Sequence, residues 1–310
     1  MKKIAVFVGR VVAAAAALFV LQALLGPLLA PPVEMPAAGF ASLAAMWLGT
    51  AAILMVMAIR STWTGWRLAV ALGAVYYGVS SLTSFIEAAV FDILPLAHVW
   101  RLALMTAVTA ALLAPVVVLL AGRFGKTPGP SPRLGASPAS SATPASTAHS
   151  VWSLAALFAG CSALYLALYF AAGTIIFPFV QPFYEGIGLP PLEVIVPLQL
   201  FVRGPLHVAI CVLVVAMTGG TRAQRALLAG VVMAGLGGAI PLLVPNPYFP
   251  DAVRWVHFAE VVTSNFVFGT ITGWVFASRW RGPSAESVDA RPAGSPPKRT
   301  RFLKLLPRRS

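Results

Sequence analysis

Eight separate stretches of this chain are each long and apolar enough to cross a lipid bilayer: residues 11–30, 41–59, 68–91, 102–121, 154–178, 194–217, 226–244 and 255–277. A hydrocarbon core about 30 Å thick needs about 20 predominantly apolar residues per helix. Lipid offers the backbone no hydrogen-bond partners, so a run of this length satisfies its own amides by coiling. The expected fold is therefore all-α: a polytopic integral membrane protein with eight transmembrane helices. Composition agrees, with 59% hydrophobic and only 10% charged residues, against about 25% charged in a soluble domain. The first stretch follows Met1, Lys2 and Lys3, as a secretory signal would. It is longer than a signal's apolar region and is followed by Pro31 and Pro32 rather than a small-residue cleavage site, so it reads as a retained span.

The net charge of +13 raises nucleic acid as a partner. No folded reader module accompanies the cations, and the distribution of charge fits a bilayer instead. With the N-terminus on the cytoplasmic side, the cytoplasmic segments hold Lys2, Lys3 and Arg10, then Arg60 and Arg67, then Arg123, Lys126 and Arg133, then Arg222 and Arg225, and finally the basic tail. The opposite loops hold Arg101 and Arg254, together with the acids Glu34, Asp92, Glu185, Glu193 and Asp251. Positive flanks stay inside during insertion, which predicts that both termini are cytoplasmic. Arginine outnumbers lysine and alanine is abundant, a composition that points to a GC-rich bacterial gene and hence to the inner membrane.

Residues 124–150 are rich in Pro, Ser, Ala and Thr and too poor in large apolar groups to build a core. This linker divides the chain into two four-span halves, 1–123 and 151–280, and residues 281–310 form a basic cytoplasmic tail. Cations there alternate with Phe302, Leu303, Leu305 and Leu306, which suits an anionic lipid surface. Four is even, so the halves share one orientation and would form a parallel repeat. His98-x-x-Arg101 and His257-x-x-Glu260 echo one another at the heads of the fourth and eighth spans. Duplication and ordinary membrane composition both account for that echo.

Only three formal charges lie inside the spans: Glu87, Arg203 and Glu260. A central charge costs roughly 2.5–3.5 kcal/mol on the insertion scale, so such groups face the bundle interior and pair. At about 1.5 Å per residue, Glu87 sits about 6 Å below the outer end of its span, Glu260 about 8 Å and Arg203 about 14 Å. Arginine's length narrows the gap, and all three can meet in the outer half. Helical spacing extends the polar faces. Gln199, Arg203 and His207 recur every fourth residue; His257, Glu260 and Ser264 share a face with Asn265 at its shoulder; Tyr76, Ser80, Thr83, Ser84 and Glu87 follow the same period. Pro197 and Gly204-Pro205 disturb the sixth helix beside Arg203, freeing carbonyls for a ligand, a proton or Asn265.

Other motifs are absent or generic. Residues 122–127 resemble a phosphate loop, but the glycine spacing is too short and Pro128 follows. Cys161 and Cys211 lie in apolar runs and read as small buried hydrophobes, with no cofactor or metal module around them. Gly269-x-x-x-Gly273 and Gly230, Gly235, Gly237 and Gly238 are expected to form the tight core of the second half. Phe183, Tyr184, Tyr248, Phe249 and Trp255 fit an outer aromatic belt, and Trp280 an inner one. Three functions remain open. In the first, an outward-facing polar cavity binds or moves a small solute or proton. In the second, an intramembrane enzyme uses Glu260 with His257 or His207 on lipid or peptide. In the third, a scaffold uses the buried ion pair only to fix packing.

Overall fold

A computed structural model describes residues 1–30, 39–125, 144–188, 190–245 and 250–279. The described chain is all-helical, and its eight helices are long and apolar enough to span a membrane. They are α1 (Lys2–Leu29), α2 (Phe40–Arg60), α3 (Gly65–Val90), α4 (Leu96–Leu120), α5 (Pro144–Ile187), α6 (Leu192–Met217), α7 (Arg222–Leu243) and α8 (Asp251–Arg279). Each helix extends past its hydrophobic stretch, because a helix that leaves hydrocarbon keeps its ladder while its side chains turn polar. α5 begins at Pro144, within the segment read as linker. Residues 126–143 of that linker, the basic tail, Glu34, Tyr248, Phe249 and Trp280 lie outside the described residues.

Arg10, Arg60, Arg67, Arg123, Arg222, Arg225 and Arg279 gather at one end of the bundle, here called the basic end. Contacts place them together there: the Gly65 N–H donates to the Arg123 carbonyl at 3.0 Å, Arg222 Nε to the Trp274 carbonyl at 2.9 Å, and Arg279 to Ser153 Oγ at 3.3 Å. Arg67 lies over the Trp63 ring at 3.8 Å and Arg222 over Trp274 at 4.1 Å. The opposite, acidic end carries Asp92, Glu185, Glu193 and Asp251. Arg254 also lies there, but as a buried member of α8 rather than a loop cation. It donates to the Leu242 carbonyl at 2.6 Å and to Asp251 at 2.9 Å, tying the head of α8 to the end of α7.

α1 packs on α2 and α4, and α3 on α4; in the second half α5 packs on α6 and α8, and α7 on α8. Several features recur in the two halves at one interval. Ser61 and Thr218 cap the ends of α2 and α6, and Thr64 and Thr221 cap the starts of α3 and α7. Thirteen helical residues later both α3 and α7 widen into a five-residue π turn, at Gly78–Leu82 and Gly235–Ala239. The interval is constant at 157 positions, Thr221 less Thr64. The packing repeats too: Ile210 of α6 lies against Gly78, where an added Cβ would be 3.0 Å away, and Ile53 of α2 lies against Gly235. The two isoleucines keep the same interval. These contacts run between the halves and are reciprocal, as about a two-fold axis, at these matched positions.

On the α3–α4 and α7–α8 pairs, Gly73 faces Ala110 and Ala114 as Gly230 faces Phe266 and Thr270. That register sets His98 opposite Arg254. The echo of His98 with His257 read from the sequence is thus out by three residues, because spacing along one span says nothing of the turn before it.

Small residues let α7 and α8 touch. A Cβ on Gly269 would fall 2.7 Å from the Ala229 carbonyl oxygen and 2.9 Å from Gly230 Cα, and one on Gly273 would fall 3.0 Å from Ala226 Cα. The expectation of a tight second-half core holds for these glycines. Gly235 and Gly237 differ: they meet Ile53 and Val79 of the first half, so they serve the joint between halves. Gly269→Ala is expected to lower stability by about 1–3 kcal/mol, since backbone cannot move aside as a side chain can. Thermal melting in detergent checks this, with Gly160→Ala, where nothing lies within 4 Å, melting as wild type.

At the basic end the turns between α2 and α3 and between α6 and α7 pair across the two-fold as an antiparallel bridge, Ser61 with Thr218. The Thr62 N–H donates to the Met217 carbonyl at 2.8 Å and the Gly219 N–H to the Arg60 carbonyl at 2.9 Å. Ser61 Oγ adds a bond to the Met217 carbonyl at 2.8 Å, and Arg60 Nη2 one to Gln224 Oε1 at 2.8 Å.

Candidate functional site

Pro197 and Pro205 lack backbone N–H groups, so α6 cannot complete a regular ladder around either. The structure resolves this with a π turn at Leu198–Arg203, closed by a bond from the Gly204 N–H to the Gln199 carbonyl. The disturbance expected beside Arg203 is therefore real, and such turns recur at functional sites. Gly204 is needed here: a Cβ would lie 3.1 Å from the Ser162 carbonyl oxygen of α5.

The turn presents Gln199 and Arg203 on one face, opposite Glu87 near the acidic end of α3. Arg203 Nη1 lies 2.5 Å from Glu87 Oε1. Gln199, fully buried, closes a ring of three: its Nε2 donates to Glu87 Oε1 at 3.2 Å, and its Oε1 accepts from Arg203 Nη1 at 3.2 Å. The amide can do both at once because it carries both a donor and an acceptor. Glu87 belongs to the first half and the other two residues to the second. The side chains of Arg203 and Glu87 are 12% and 22% exposed, so the pair is mostly but not wholly buried.

Among the described residues only Nη1 of the guanidinium is hydrogen-bonded; Nε is buried without a partner. Glu260 is not within ion-pair distance of Arg203. Its direct partner is His257, with Nδ1 2.6 Å from Glu260 Oε2, so the eighth span brings its own partner to its acid. The three charges expected to meet thus fall into two pairs, Arg203 with Glu87 and Glu260 with His257, and no direct contact joins Arg203 to Glu260 among the described residues.

The remaining candidates divide. His207 is buried one turn below Arg203, its ring 4.7 Å from Tyr165 and 6.2 Å from Phe268, and its Nδ1 has no hydrogen-bond partner. Ser264 bonds the carbonyl of Glu260 at 2.8 Å and so serves its own helix. Asn265 makes no hydrogen bond to the break in α6; it lies against Gly237 at the crossing of the other two π turns, on the face of α8 packed against α7. Among the described residues no three His, Cys, Asp or Glu side chains gather closely enough to hold a metal ion. A metal shared by His207, His257 and Glu260 is therefore not formed.

Sequence reasoning missed Tyr165 and Tyr169 of α5. The Tyr165 ring centroid lies 5.9 Å from the Arg203 guanidinium, within cation–π range, and both tyrosines feel the charges of Glu87 and Arg203. The signal was present as Cys161, Tyr165 and Tyr169 at every fourth position. Compared with known proteins, the chain matches no family, no curated protein and no solved structure.

Proposed function

We propose that this protein binds a small anionic solute, such as a carboxylate, together with a proton, in a recess open toward the acidic end, and carries them across the membrane. The observation that supports this is the unused edge of Arg203. Nη1 is held by Glu87 and Gln199, which leaves Nε and Nη2, the pair of parallel donors that grips a carboxylate in bidentate fashion. Protein that exists only to pack helices gains nothing by leaving donors open in a low-dielectric site. His257 with Glu260 would be the proton-linked pair, since neutralising or charging either member changes the field on Arg203. On this reading the acidic end faces outward and the basic end faces the cytoplasm of a bacterium, with anionic lipid around the arginines and the basic tail.

Proteoliposomes loaded with a pH-sensitive dye and challenged with a panel of small organic carboxylates test this. Saturable acidification of the lumen is expected from wild type and should be lost in Arg203→Leu and Glu260→Gln. Equal signals from wild type and both variants, at equal incorporation, sink the reading. The same ion pair also supports a second reading, a device that joins the halves, because its two members come from different halves.

A further inference from the structure

The two-fold relation between the halves puts a second recess where the charged one has its mate. Arg203 and His207 of α6 correspond to Met46 and Thr50 of α2 at the constant interval. A cavity of about 110 Å³ lies there, between α2, α3 and α7. We propose that it is a binding site for a small uncharged molecule that both donates and accepts hydrogen bonds, of the polyol or amide class.

The lining carries the argument. Thr50, Tyr76, Ser80 and Ser81 contribute hydroxyl groups; Met46, Leu236 and Ile240 make the wall aliphatic; no acidic or basic side chain is among the lining residues. A charged ligand would find no counter-charge, and a purely apolar one would strand the hydroxyls. Two of those hydroxyls are unspent. Ser80 donates to the Tyr76 carbonyl at 2.5 Å and meets Ser81 Oγ at 3.3 Å. Thr50 and Tyr76 make no side-chain hydrogen bond among the described residues, although Thr50 is only 3% exposed. Thr106, Thr109 and Thr218 bond their own helix four residues back. Thr50, like Thr270 and Thr272 of α8, makes no such bond, and it alone of these lines the cavity.

The backbone adds acceptors. α7 leaves its π turn at Ala239 and tightens into a 3-10 turn at Pro241–Leu243. Pro241 has no N–H to give the carbonyl one turn earlier, and Pro241 itself lines the cavity. Size sets the limit on the occupant: an engineered cavity of about 150 Å³ admits benzene, so this one admits a molecule of a few heavy atoms.

Saturation-transfer NMR on the full chain in nanodiscs, with glycerol, acetamide and benzene as probes, tests the site. Saturable signals from glycerol or acetamide and none from benzene are expected. Thr50→Val, which keeps shape and removes one hydroxyl, should weaken probe binding about five-fold. Ser81→Leu, which fills the space, should abolish it. Both variants are to be compared at melting temperatures near wild type; if Ser81→Leu fails to fold, Thr50→Val alone decides. Uptake of water alone with no saturable probe signal, benzene binding as well as glycerol, or probe binding indifferent to Thr50→Val overturns the proposal.

Discussion

Cysteines placed at positions 61 and 218 are expected to form a disulfide that reduces carboxylate-driven proton uptake to the background of empty liposomes. The two positions face each other as a non-hydrogen-bonded antiparallel pair, since the bonds run from Thr62 to Met217 and from Gly219 to Arg60. Such pairs hold their Cα atoms about 4.5 Å apart, within the roughly 4.4–6.8 Å that a disulfide spans. Transport by a parallel repeat requires one half to rock against the other around the site. The bridge joins the halves at the end away from the recess, where the passage would have to open. Positions 61 and 218 are as buried as the native thiols Cys161 and Cys211, so the new pair is made in a background with both native cysteines replaced by alanine. The measurement is dye-reported uptake by Ser61→Cys with Thr218→Cys, before and after reduction, with cross-linking followed by mass spectrometry. Restoration by reductant supports separation of the halves at this end. Full uptake by a verified cross-linked protein would mean that the solute does not pass there.

Arg203→Leu is expected to destabilise the protein by about 3–5 kcal/mol, the cost of leaving a buried partner uncompensated. Glu87 is 22% exposed, so it can regain some hydration, and the lower end of that range applies. Reversing the pair, Glu87→Arg with Arg203→Glu, should recover folding yield in detergent, because α3 and α6 are again joined by opposite charges. It should not recover carboxylate uptake, since the group facing the recess would then repel an anion. This separates the two readings of one ion pair. If the reversed pair recovers both yield and uptake, the open edge of the guanidinium is not what holds the solute.

The eight spans were legible because an apolar run of about 20 residues has few alternatives in lipid. Their ends were not, since α1 is already helical at Lys2 and α5 runs on to Ile187, where hydropathy no longer distinguishes helix from loop. The π turn of α6 was half legible through Pro197 and Pro205. That of α7 had only Pro241 beyond its end and that of α3 no such signal, for both accompany contacts between distant segments, Ile210 lying on Gly78 and Ile53 lying on Gly235. Charge scarcity pointed to Glu87, Arg203 and Glu260. Partner choice depended on geometry, and His257 captured Glu260 from three residues away. Tyr165 and Thr50 escaped notice because a tyrosine or threonine on an apolar helix resembles every other lipid-facing one until its neighbours are known.

The correspondence between halves has an energetic side. Two identical four-helix units meeting about one axis would each bring a guanidinium into hydrocarbon, so the assembly would bear that insertion penalty, roughly 2.5–3.5 kcal/mol, twice. Covalent fusion lifts the requirement that partners be alike. Here methionine stands opposite arginine and threonine opposite histidine, so a single cation needs an acid, and the matching position is left neutral.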